Sequence, residues 1–260
     1  MQIDDIEVRC EGQGDEAVVL IHGWPDTLAL WDAQVAALAP RRRCVRFTLP
    51  GFDRHRAPRP SSLDEVVAVI HRIVSTTCPG ERVTLLLHDW GCLYGYQYAL
   101  RHPETVARIV GVDIGDAGSA AHRATLGTKA KLMALGYQLW LALAWRLGGN
   151  LGDRMARWMA KSMRCPTPAE EIVASMGYPY AVQWFGVKGG FRGVRPFVPQ
   201  VPMLYLYGQR KPFMFHSPAW VEALAARPGS RVMGLPTGHW VMVQRPQEFN
   251  AAVIDWLDGR

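Results

Sequence analysis

The chain has 260 residues, 49% of them hydrophobic and 20% charged, with a formal net charge of +6. Such a chain suits one large core, or one core with an inserted subdomain, and long disorder is excluded. The Arg residues are scattered apart from Arg41-Arg42-Arg43, and no basic–aromatic nucleic-acid motif is present, so the charge reads as a solvated surface ahead of a preference for anionic substrates or surfaces.

The N-terminus, "MQIDDIEVRC", is acidic and has no apolar core, so no signal peptide is expected in it. The first strand signal is Ala17–Ile21 ("AVVLI"), which runs into His22-Gly23-Trp24-Pro25. A second lies at 44–49 ("CVRFTL"), and helical patterning follows over 63–75. The run 83–87 ("VTLLL") ends at His88-Asp89-Trp90-Gly91, and a helix is predicted over 92–101. The run 108–112 ("RIVGV") ends at Asp113. From about 117 to 199 the chain is rich in Trp, Met, Leu and Gly at helical spacing, with no clear strand. Its uncharged stretch 132–145 is too short to span a bilayer, which needs about 18 apolar residues. Strand patterning resumes at 203–207 ("MLYLY") and 231–235 ("RVMGL"). Gly238-His239-Trp240 follows, and a helix over 246–257 closes the chain.

Continuous apolar strands alternating with helices imply a mostly parallel sheet covered on both faces. The α/β core is expected to comprise 1–116 and 200–260, with 117–199 as an inserted helical cap over the carboxyl edge of the sheet, where such folds bind ligands. The five cysteines are widely spaced and lack a CxxC, so neither a disulfide framework nor a metal site is expected, and reduced thiols fit a cytoplasmic location. No cofactor motif is present. The expected partner is a small hydrophobic substrate; oligomeric state is not legible.

Four strand ends carry chemistry-bearing residues: His22 to Trp24, His88 to Trp90, Asp113, and Gly238 to Trp240. Any one reads as a cap or a satisfied polar group; four together point to a site. With "HGWP", "HDWG" and "TGHW" in this order, the chain resembles the α/β-hydrolase superfamily over nearly its whole length. It resembles in particular the aspartate-nucleophile branch of epoxide hydrolases and haloalkane dehalogenases. The resemblance implies that Asp89 is the nucleophile, His239 the base, and the backbone N–H groups of Trp24 and Trp90 the oxyanion hole. His22 and His88 read as turn-stabilising hydrogen bonders. The triad acid of such proteins often follows the strand after the cap, where this chain has Lys211. The other known place is 24 positions beyond the nucleophile, which is Asp113, with Asp116 in reserve. Leu87, two places before Asp89, departs from the small residue usual there.

A carboxylate, anionic at neutral pH, needs no base to attack an sp3 carbon. For an epoxide, the resemblance implies an acidic cap Tyr: Tyr137, Tyr178 or Tyr180, with one of the pair flanking Pro179 favoured. For a halide, Trp90 would be one donor, but the second, commonly an Asn, is replaced by Trp24. Epoxide hydrolysis is therefore set ahead of haloalkane dehalogenation. Ester hydrolysis and simple ligand binding on the same fold are the rival readings.

Overall fold

The structure, a computed structural model, describes residues 1–259. Its strands are β1 (Gln2–Ile3), β2 (Ile6–Glu11), β3 (Ala17–Ile21), β4 (Arg43–Phe47), β5 (Val83–His88), β6 (Val106–Val112), β7 (Met203–Gly208) and β8 (Arg231–Leu235). The α-helices are α1 (Asp32–Leu38), α2 (Leu63–Thr77), α3 (Trp90–Arg101), α4 (Ala120–Thr125), α5 (Thr128–Leu147), α6 (Gly149–Ser162), α7 (Tyr178–Phe185), α8 (Pro218–Ala225), α9 (Val241–Gln244) and α10 (Pro246–Leu257).

One eight-stranded sheet has the order β1-β2-β4-β3-β5-β6-β7-β8. The strands from β4 to β8 pair in parallel, whereas β1 and β2 pair antiparallel at one edge. That antiparallel edge adds to the strands expected from the apolar runs. Its physical signal is an apolar–polar alternation, since Val8 is buried between exposed Glu7 and Arg9.

The apolar strands are buried on both faces because successive side chains point opposite ways. Val19, Ile21, Leu85 and Leu87 join one core with α2 and α3. Val18, Leu20 and Leu86 join another with α1 and α10. Each such side chain contributes about 1.5–3 kcal/mol on burial. Helix α2 begins at a capping box, in which Ser62 accepts from Glu65 N and Glu65 accepts from Ser62 N.

Between β6 and β7 the chain forms only helices and short 3-10 turns, α4 to α7. From β3 the chain moves to β4 on one side, then returns to place β5 on the other. The carboxyl ends of β3 and β5 therefore flank a topological switch point, the position where open parallel sheets leave a crevice. No helix among the described residues is long and apolar enough to cross a membrane.

Candidate active site

Asp89 ends β5 with φ 51° and ψ −122°, a positive φ rarely adopted by a residue with a Cβ. Such a conformation costs on the order of 1–3 kcal/mol and persists only where its surroundings enforce it. Here two glycines leave the room. A Cβ on Gly91 would lie 2.2 Å from Ile21 O, and one on Gly23 would lie 2.4 Å from Asp89 Oδ2 and 2.6 Å from Trp90 N. The turn thus brings the β3 loop against Asp89, and Trp24 N donates to Asp89 Oδ2 at 2.7 Å. Trp90 N lies at the same point, beside the residue it follows.

His239, after β8, places Nε2 3.5 Å from Asp89 Oδ1. Its Nδ1 donates to Asp113 Oδ2 at 2.5 Å. Asp113 is fully buried at the end of β6 and also has a positive φ, 69°. Its Oδ1 accepts from Gly208 N at 2.9 Å and is ion-paired with Lys211 Nζ. Asp116 lies elsewhere in the network. It accepts from Ser119 Oγ, Ser217 N and Ser217 Oγ, and so ties β6 to the loop before α8.

The electrostatics follow from these contacts. Burial would raise the carboxyl pKa of Asp89, but the hydrogen bond and charge of His239, with the Trp24 N–H, hold it below the usual range. Asp113 is likewise pushed up by burial and brought below normal by Lys211 and His239. Burial disfavours the imidazolium of His239, yet Asp113 and Asp89 outweigh it and raise the pKa to about 9. The resting centre is therefore an ionised Asp89–His239–Asp113 chain. Two histidines beside it stay neutral. Burial lowers His22 to about 4; its Nδ1–H donates to Gly23 O and its Nε2 accepts from Leu49 N, both at 2.9 Å. Burial and the His239 charge lower His88 to about 3, and its ring packs 4.5 Å from that of His239.

A cavity of about 700 Å³ opens over Asp89 and Trp90, with Tyr137, Tyr180, Phe197, Phe215 and Trp220 in its wall. Tyr137 comes from α5 and Tyr180 from α7, with ring centroids 6.0 Å apart. The Asp89 charge adds to burial in raising both phenol pKa values. Tyr180 stands edge-on to Trp90 at 5.1 Å and to Trp24 at 6.1 Å. Tyr178 is placed differently. It is buried against Phe52, with ring centroids 5.7 Å apart, and is not among the residues lining this cavity. Pro179 sits in the first turn of α7, and the helical twist carries its two tyrosine neighbours to different sides.

Residues 16–164 match the alpha/beta hydrolase fold family, which is more than half of the chain. The chain belongs to the α/β-hydrolase fold family. Among relatives, the "Probable oxidoreductase EphD" of Mycobacterium tuberculosis is 40% identical over 112 residues, which is 40% of this chain and only 18% of that protein. "Epoxide hydrolase 3" of Xenopus tropicalis is 24% identical over 262 residues, 92% of this chain and 71% of that one. The same fold is seen in an epoxide hydrolase from Bacillus megaterium, with TM-score 0.73 and 20% identity over 97% of this chain and 96% of that one. Epoxide hydrolase A from Mycobacterium thermoresistibile has TM-score 0.70 and 21% identity, covering 100% and 97%.

Within this hydrolase fold, three features of the site are not legible in the sequence. Leu87 fits before the turn because α3 has Gly95 opposite it, where a Cβ would lie 2.4 Å from Leu87 Cδ2. Lys211, in the loop after β7, is ion-paired with Asp113 at the end of the neighbouring strand β6. Asp26, the residue after "HGWP", is a buried carboxyl that accepts from Thr167 Oγ1 at 2.6 Å and Trp240 Nε1 at 2.9 Å. Burial raises its pKa to about 6. No local pattern in "HGWPD" distinguishes a buried acid from a turn residue.

Proposed function

We propose that the protein is an epoxide hydrolase that works through a covalent ester on Asp89, with the helical segment 117–199 as a cap over the site. The observation that carries this reading is the environment of one carboxylate. Its Oδ2 is held by the Trp24 N–H, and its Oδ1 faces an imidazole whose other nitrogen is fixed by Asp113. The match to Epoxide hydrolase 3 over most of both chains supports the same substrate class.

Asp89 Oδ1 attacks an epoxide carbon and the C–O bond of the ring breaks. The leaving oxygen takes a proton from Tyr137 or Tyr180, the helix α5 and α7 tyrosines that line the cavity with Asp89. Burial and the Asp89 charge raise both phenol pKa values, so each hydroxyl is protonated and able to donate when the ring oxygen develops charge. Ester formation removes the Asp89 charge, so His239 loses one of the two anions that retain its proton, and that proton passes through solvent to restore the tyrosine hydroxyl. Lys211 shares Asp113 and weakens the other. The neutral imidazole then takes a proton from water, and the hydroxide adds to Asp89 Cγ. The new oxyanion forms at the Trp24 and Trp90 N–H groups; one such donor contributes about 3 kcal/mol to the transition state. Collapse breaks the ester, the diol oxygen leaves with the proton from His239, and the carboxyl formed at Asp89 gives its own proton back to that imidazole.

Single turnover in heavy-oxygen water tests this sequence. The peptide containing Asp89 should acquire the label while the first diol carries none. Label in the first diol, with Asp89 unlabelled, refutes the covalent step. A halide substrate is the second reading, because the indole N–H groups of Trp24 and Trp90 are buried and without a hydrogen-bond partner. Diol formation measured against halide release, on matched epoxides and haloalkanes, separates the two.

A further inference from the structure

The net charge of the chain is not evenly spread. Residues 117–168 contain eight of the 29 Lys and Arg residues but only one of the 23 Asp and Glu residues, Asp153. That stretch carries +7, and the remainder of the chain −1. The solvated-surface reading of the charge therefore does not describe where the charge lies.

The same stretch exposes apolar surface that a stable water-facing helix would not. The inner side of α5 buries Leu141, Ala142 and Ala144. Its outer side presents Leu132, Leu135, Leu139, Leu143 and Leu147, spaced by three or four residues and 37–64% exposed. Such spacing is one helical stripe. The next helix continues it. The outward row of α6 reads Leu151, Arg154, Trp158 and Lys161, all exposed. Trp158 is 58% exposed and packs 5.1 Å from Trp140 of α5, so the two rows meet. Contiguous exposed apolar patches of this kind mark interaction surfaces.

We propose that the outer face of α5 and α6 docks the enzyme on an anionic lipid bilayer surface. Charge selects the occupant. A second copy of the chain would bring two +7 segments together, whereas an anionic headgroup layer is complementary to one. Leu and Trp on one face with Lys and Arg beside them is the pattern of a helix that lies in the interfacial plane. Trp140 and Trp158 are suited to headgroup depth, where aromatic rings have one apolar and one wet side. The face also adjoins the cavity, because α5 supplies Tyr137 and Gln138 to its wall. A lipid-dissolved apolar substrate would then meet the enzyme at its roof. This inference does not depend on which electrophile the site opens.

Flotation with phosphatidylcholine vesicles, with and without phosphatidylserine, tests it on the full chain. Wild type should float with the serine-containing vesicles, less so as salt rises, and poorly with neutral ones. The surface variants L139S/L143S and K129Q/R154Q/K161Q alter exposed side chains, and unchanged thermal unfolding would show that they fold. The charge variant should lose roughly 100-fold in partitioning, at about fivefold per cation. The leucine variant should lose binding at low salt as well. Absence of wild-type binding, or equal binding to neutral vesicles, overturns the proposal. So does a wild-type dimer in sedimentation that L139S/L143S converts to monomer without any effect on vesicles.

Discussion

Replacing Lys211 with Met tests the electrostatics of the base directly. The side chain is almost fully buried and ion-paired with Asp113 Oδ1, while Asp113 Oδ2 holds His239. Both are bonded to one carboxylate, and two hydrogen bonds across a carboxyl group set the ammonium and the imidazole on the order of 6 Å apart. At an effective dielectric of about 20, two unit charges there interact by about 3 kcal/mol, roughly 2 pKa units. Lys211 therefore depresses the pKa of His239, and Lys211→Met should raise it by about 1–2 units. The neutral imidazole is the form that activates water, so the rise of ester hydrolysis with pH should move upward by the same amount. Turnover at pH 7 should fall about 10- to 100-fold and recover on an alkaline plateau. Asp113 keeps Gly208 N and His239 as partners, so the loss of stability should sit at or below the ~3 kcal/mol low end for broken buried pairs. Imidazole NMR titration and a pH profile of single-turnover ester decay on an aryl epoxide are the measurements. An unmoved His239 titration, with activity lost equally at every pH, would refute the reasoning.

Asp113→Asn should reduce turnover by about 10⁴-fold through loss of the imidazole's orientation and charge partner. Asp116→Asn, at a side chain that hydrogen-bonds Ser119 and Ser217 and not His239, should change kcat far less; equal effects in steady-state kinetics would move the acid elsewhere. Gly95→Ala should cost about 1–3 kcal/mol by driving a Cβ into Leu87. Adding Leu87→Ala should cost less than the two changes summed, which denaturant unfolding of the four proteins in the cycle reads. Asp26 has a folded pKa of about 6, above its unfolded value. The native state thus holds the extra proton between about pH 4 and 6, and this stabilising contribution, on the order of 3 kcal/mol, is present at low pH and lost as pH rises through 6. Asp26→Asn, which keeps an acceptor for Trp240 and a group for Thr167, should flatten that part of the stability–pH curve in thermal unfolding.

The strands at 17–21, 83–87, 203–207 and 231–235 were legible to within a residue, and so were the helices over 63–75 and 246–257 to within two. Burial on both faces produces uninterrupted apolar runs, a signal contained within ten residues. The turn at Asp89 was legible for the same reason, since glycines and a polar residue must follow a buried strand that bends sharply. What decides the chemistry lies farther apart. Asp89 meets Trp24 across 65 positions, and His239 meets Asp113 across 126, because the sheet order sets their strands side by side. Lys211 acquires a meaning only when β7 lies beside β6. Tyr178 and Tyr180 are alike on the page, and the twist of α7 divides them. The basic character of 117–168 could be counted from the sequence. That its leucines face outward could not, because α5 is apolar on both sides and only packing chooses which side the core takes.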